Sequence, residues 1–166
     1  MIIKKLQQAE AEIRQKRDEI IEKLVDFSKT DALLYWDTRP DLQKRQAEVW
    51  GPILDWAKQE INCRYDKTDN LQVPEQKNNE VENFRRFLRG LTDKELAAFW
   101  LASLNMRSEL LAAALVKGKI DADTAFAAAN LEELWQNESW GEDEAAVKAR
   151  KSLLTELQEI GAYLKS

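Results

Sequence analysis

The side chains in this sequence that cluster densely enough to act on another molecule are carboxylates and indoles. They crowd the run Leu131-Glu132-Glu133-Leu134-Trp135-Gln136-Asn137-Glu138-Ser139-Trp140-Gly141. From Asp121 to Glu144 there are eight Asp or Glu residues and no Lys or Arg, although Lys117, Lys119, Lys148, Arg150 and Lys151 flank the stretch. A helix bearing only negative charge gains nothing from internal ion pairs and loses a little to repulsion. A basic partner outside the helix is its natural complement. Two indole rings add the large, rigid, amphipathic area that interfaces favour. Two readings stay open at this point: a docking face, or a solvated acidic surface beside two core tryptophans.

Other chemistry finds little support. Histidine is absent, which removes the usual general base and the commonest metal ligand. Cys63 is the single cysteine, so no zinc cluster and no internal disulfide can be built, and a reducing compartment is expected. The five glycines stand apart and form no phosphate loop. Serine nucleophiles lack a partner base, and Glu138 to Glu144 lacks the ligand spacing of a calcium loop. Glu132 or Glu133 could pair with Asp121 or Glu138 as acid and base. No such pair has an expected buried setting, so exposed helix surface is preferred over a carboxylate-dependent hydrolase. No enzymatic activity, metal or cofactor is expected. The net charge of −5 argues against nucleic acid, and no apolar run approaches a membrane span. The expected partner is a protein, and the chain itself is expected to be a monomer. Neither a signal peptide nor a transit peptide is read at the N-terminus, which points to a bacterial cytoplasm.

These residues must be positioned by helices. Ala, Leu, Glu, Lys and Gln dominate, with only three prolines to interrupt them. The spacing predicts a single all-α domain over residues 1–166, an irregular bundle of about six helices. The first spans about Ile2 to Phe27, with Leu6, Ile13, Ile20, Leu24 and Phe27 inward. A short buried run, Leu33 to Trp36, precedes a helix opened by Pro40, in which Gly51-Pro52 predicts a kink or two abutting helices. Trp50 and Trp56 share its apolar face with Ile53 and Leu54, so truncating either is expected to cost ~3–5 kcal/mol. Residues 62–73 lose periodicity and read as a loop or short extended piece. Pro74 is expected to open a helix ending at Gly90. The box Thr92-Asp93-Lys94-Glu95 starts a central apolar helix that carries Trp100 and runs to about Lys117. A further helix runs from Asp121 or Asp123 to Gly141, and a last one from about Glu142 to Leu164.

Two of these segments carry a family resemblance. Trp50-Gly51-Pro52-Ile53-Leu54-Asp55-Trp56-Ala57 resembles the aromatic–x–Pro–Leu/Ile–Leu/Ile–x–Trp–Ala signature of the ATP-twelve family. The run Leu131-Glu132-Glu133 through Trp135-Gln136 to Trp140-Gly141 is similar to the same family's leucine–acidic–acidic–x–aromatic–Gln…Trp–Gly element. Thr30 to Tyr35 and Gly118 to Asp121 match in the family's order. The similarity spans about Arg17 to Leu164.

The resemblance implies a chaperone that holds the free alpha subunit of the ATP synthase catalytic sector until the beta subunit replaces it. It implies Glu132, Glu133, Gln136 and Glu138 as polar contacts and Trp140 as the aromatic anchor. Trp50, Pro52, Trp56, Trp100, Trp135 and Gly141 are then structural. Leu134 departs from the family, which usually has an acidic residue there. Family members also carry a β-rich N-terminal domain, in whose place a helix from Met1 is read here, so the chain corresponds to the helical C-terminal domain. The family's range implies mitochondria if the source is a eukaryote.

Overall fold

The computed structural model describes residues 2–166; Met1, where the first helix was read to begin, lies outside them. Among the described residues there are eight α-helices and no named strand. They are α1 (Ile2–Ser28), α2 (Pro40–Glu60), α3 (Asn78–Arg89), α4 (Asp93–Met106), α5 (Glu109–Val116), α6 (Ala122–Ala129), α7 (Leu131–Trp140) and α8 (Glu144–Lys165). A 3-10 turn, Ala32–Leu34, joins α1 to the chain entering α2. The architecture is the expected all-helical bundle, but with more helices than the expected six.

Two breaks account for the difference. The central apolar helix divides at Arg107, which takes a left-handed conformation (φ 57°, ψ 26°), and Ser108 caps the new start by accepting from the Leu111 N–H at 3.1 Å. The next helix divides at Asn130, whose side-chain amide donates to the Phe126 carbonyl at 2.9 Å. α4 and α5 still form the expected centre: α4 packs on α1, α5, α6 and α8, and α5 also touches α2. The Thr92 capping box forms as expected, with both of its hydrogen bonds present.

Pro40 opens α2 as expected, but Pro52 and Pro74 behave differently from expectation. α2 runs through Pro52 as one helix. Pro52 and Glu48, whose carbonyl loses its donor, both face solvent, so water can satisfy the orphaned group. Pro74 opens no helix; α3 starts at Asn78, and Pro74 belongs to an extended connection. The helix that does break is α1, where Lys16 leaves helical dihedrals (φ −134°, ψ 38°). Its neighbour Arg17 is drawn to the α3–α4 corner, donating to Asp93 at 2.7 Å and to the Arg89 and Leu91 carbonyls.

The connection after α2 is an anchored loop with one isolated parallel bridge. Thr68 is bridged opposite Tyr35, accepting from the Trp36 N–H at 2.8 Å and donating to the Leu34 carbonyl at 2.7 Å. Cys63 and Tyr65 plug it into the core, and burial pushes the Cys63 thiol up to about 12, which keeps it an inert apolar filler. No helix among the described residues is long and apolar enough to cross a membrane.

The 3-10 turn is locked to the centre of the bundle by one carboxylate. Asp31 is fully enclosed and accepts from the Leu33 N–H (2.9 Å), the Ser108 hydroxyl (2.8 Å), and the Glu109 and Leu110 N–H groups (2.6 and 2.9 Å). Burial raises its pKa, and these four donors oppose the rise. Glu109 lies beside it, 5% exposed, with no hydrogen-bond partner for Oε1. Burial first, and then the Asp31 charge, hold the Glu109 carboxyl well above its ordinary 4.5.

Four outcomes follow from this packing. Asp31→Ala should destabilise the fold by about 3–5 kcal/mol, because buried donors lose their acceptor together; urea midpoints measure it. Trp50 is 8% exposed and its indole N–H donates to the Ala128 carbonyl at 2.9 Å, so Trp50→Ala should cost ~3–5 kcal/mol. Trp56 is only half-buried, and its truncation should cost about 1–2 kcal/mol, less than the sequence suggests. For Glu109 the folded pKa exceeds the unfolded one, so its proton stabilises the native state fully below about pH 4.5. That contribution is lost as pH rises through the folded value. Urea titrations from pH 4.5 upward should therefore show native stability falling relative to Glu109→Gln, and a constant difference would refute the assignment.

Candidate functional site

α7 presents the acidic and aromatic run, and only Leu131 of this helix is buried. It leans on α2 and α6 at the side of the bundle. Its carboxylates find arginines brought by other helices. Glu132 pairs with Arg39 at 3.2 Å and Glu138 with Arg45 at 2.7 Å, both cations coming from the start of α2. Glu133 pairs with Arg150 of α8 at 3.2 Å, and Glu142 approaches the same guanidinium at 3.7 Å. The negative run is thus one side of a mixed-charge lattice.

Each cation is held in a distinct way. Arg39 is forked onto Asp37 through two 2.9 Å bonds and lies 5.0 Å above the Trp135 ring. The guanidinium holds the Asp37 carboxyl down at about 2. Arg45 donates to Glu138 and lowers its pKa, while Glu138 raises that of Arg45. Arg150 is the buried one, 7% exposed, so Glu133 serves first to neutralise a cation already removed from water.

Other carboxylates of the run have local work. Asp121 and Asp143 accept from the Thr124 and Ala146 N–H groups and so cap α6 and α8. Asp123 accepts from Gln158 at 2.9 Å. The outward offer of α7 is therefore narrower than its sequence suggests. Gln136 is exposed, and Trp140 is 87% exposed at the helix end. Gly141 stops the helix at φ 81°, where a side chain would be strained.

The tryptophans sort as follows. Trp50 is core, and Trp56 and Trp100 are half-buried against it. Trp135, read as structural, is half-buried but stands outside the core cluster, as the platform for Arg39. The sequence reading missed Arg39, Arg45 and Arg150. Their partners are 93 and 17 residues away in the chain, beyond any helical periodicity.

A buried carboxyl pair does exist, contrary to expectation, but it is Asp31 with Glu109 and not a pair from α7. Both Asp31 oxygens are engaged by hydrogen-bond donors, chiefly around the α5 start, which leaves no second free carboxylate to work with Glu109. Among the described residues no group of three or more His, Cys, Asp or Glu is placed to hold a metal ion.

Comparison with known proteins gives a consistent answer. The family model described as ATP12 chaperone protein matches residues 2–58, which takes in α1 and nearly all of α2. Protein atp12, mitochondrial, of Schizosaccharomyces pombe is 24% identical over 140 residues, 80% of this chain and 48% of that protein. The crystal structure of Atp12 from Paracoccus denitrificans superposes with a TM-score of 0.86 at 28% identity, covering 92% of this chain and 66% of that one. A protein from Agrobacterium tumefaciens superposes at 0.83 with 29% identity, covering 92% of this chain and 57% of its own. The chain thus spans about half the length of the curated relative it matches. Matched in sequence through its first two helices and in fold over nearly its whole length, this chain is similar to ATP12 chaperone proteins.

Proposed function

We propose that the chain is a molecular chaperone that binds the free alpha subunit of the ATP synthase catalytic sector and keeps it from aggregating before it meets beta. The observation that carries this reading is the α7 face of an ATP12-like fold: an exposed indole and a free amide beside a mixed-charge lattice. A newly made subunit exposes apolar surface that later becomes interface, and such surface aggregates unless covered. Trp140 supplies apolar anchorage, Gln136 an unpaired donor and acceptor, and Glu132 and Glu138 charges that a client can compete for. Binding is non-catalytic, and the chain works as a monomer. The setting we propose is the cytoplasm of a bacterium or, in a eukaryote, the mitochondrion, where the Schizosaccharomyces pombe relative is named as residing.

Refolding of isolated alpha subunit, followed by light scattering and size exclusion, tests this. The chain should suppress aggregation and co-elute with the subunit. Trp140→Ala and Gln136→Ala should keep the melting temperature and lose most of the protection. The Glu132/Glu133 double substitution also strips a partner from buried Arg150, so its binding result must be read beside its stability. No protection and no complex with the unsubstituted chain would sink the proposal. Equal protection of an unrelated aggregating protein would instead favour a generic acidic adaptor.

A further inference from the structure

A groove of about 450 Å3 runs between α1 and the α4–α5 junction, away from the lattice of α7. Its apolar wall is unusual for a surface. Phe27 of α1 is 67% exposed and Leu104 of α4 is 65% exposed, and half-buried Trp100, one turn before Leu104, lines the same groove. Its floor holds Glu109, 5% exposed with Oε1 lacking any hydrogen-bond partner. Buried polar atoms are nearly always paired, so an orphaned carboxyl oxygen lining an apolar groove marks a missing donor.

The chain does not supply that donor. Ser108 and the first N–H groups of α5 are already given to Asp31. Lys16, Lys23 and Arg107 stand on the rim, yet no ion pair among the described residues joins them to Glu109. Glu12 and Glu19 share the rim with those cations, so the two floor carboxyls, Asp31 and Glu109, tip the balance to acid, and a basic side chain brought against Glu109 takes the place of the proton that burial makes it keep.

We propose that this groove docks a helical segment of a partner protein that presents one lysine or arginine among apolar side chains. The apolar side chains cover Phe27, Trp100 and Leu104, while the basic side chain extends to Glu109 Oε1. Helix-in-groove recognition supplies the mode, and the buried carboxylate supplies the selectivity, because a segment lacking a donor leaves that oxygen unpaired. The site is independent of the α7 reading and stands whether or not that face binds the alpha subunit.

The test uses the full chain and three labelled sixteen-residue amphipathic peptides. They share an apolar face of leucines and differ only in a central lysine, glutamine or glutamate within that face. Fluorescence anisotropy gives affinity, and NMR shifts of the Trp100 indole N–H and Leu104 methyls give location. The lysine peptide should bind saturably at the groove, roughly tenfold tighter than the glutamine peptide, with the glutamate peptide weakest. Glu109→Gln should erase the preference for lysine. Leu104→Ser, at a surface position that leaves the core untouched, should weaken every peptide and so keeps the test decisive if Glu109→Gln perturbs folding. Equal binding of the lysine and glutamine peptides, no saturable binding of the lysine peptide, or shifts confined to α7 would overturn the proposal. So would a dimer that covers Leu104 and Phe27, which would make a second copy of the chain the occupant.

Discussion

Asp31 is the contact on which the bundle depends. A carboxylate at the start of a helix answers two needs there, the unpaired N–H groups and the positive end of the helix dipole. In most proteins the cap comes from the residue just before the helix, and Ser108 fills that position here. Asp31 adds a second cap from 78 residues away, so helix termination and tertiary docking become one interaction. Because α5 touches α1, α2, α4, α6 and α8, fixing its first turn fixes the centre of the molecule. The cost of the arrangement falls on Glu109, an acidic first-turn residue that gains no donor because Asp31 takes those available. Acid in the first turn is ordinarily favourable. Here burial beside a second carboxyl reverses that preference.

The periphery is held by different physics. α7 buries one residue, Leu131, and is otherwise retained by Arg39, Arg45 and Arg150. Exposed ion pairs contribute little to stability and weaken with salt, so the outer two contacts set orientation more than they set affinity. Arg150 differs because it is already desolvated, and removing Glu133 would leave a buried charge with only the longer contact to Glu142. Of the two adjacent glutamates, Glu132 is free to exchange its partner and Glu133 is committed. A surface organised in this way can trade internal ion pairs for external ones at small net cost, while its buried arginine keeps the helix in place.

Most of the helical architecture was legible because apolar period, capping residues and glycine stops are local signals. The Thr92–Glu95 box and the Gly141 stop are examples. Breaks were harder. Ser108-Glu109 carries a cap signal of its own, but it sits within so apolar a run that periodicity carried the reading across it. The reason to break there is Asp31, a contact no local window contains. Proline misled in both directions, since its effect depends on whether the carbonyl it orphans faces water. The acidic run was legible as charge and illegible as electrostatics. Counter-ions from α2 and α8 become neighbours only after folding, and the site changes from an acidic patch to a lattice.

The same reasoning separates the two tryptophan elements of the sequence. Trp50 turns its indole N–H to a carbonyl of α6 and ties α2 into the core, so its aromatic character serves packing. Trp140, at the end of a helix with one buried residue, has no such partner and leaves 87% of its surface in water. An indole at a helix end contributes apolar area with few torsions to freeze on binding, which suits recognition rather than folding. Residue type alone treats the two alike. What divides them is the number of helices that converge on each, and that follows from where Asp31 has fixed the centre of the bundle.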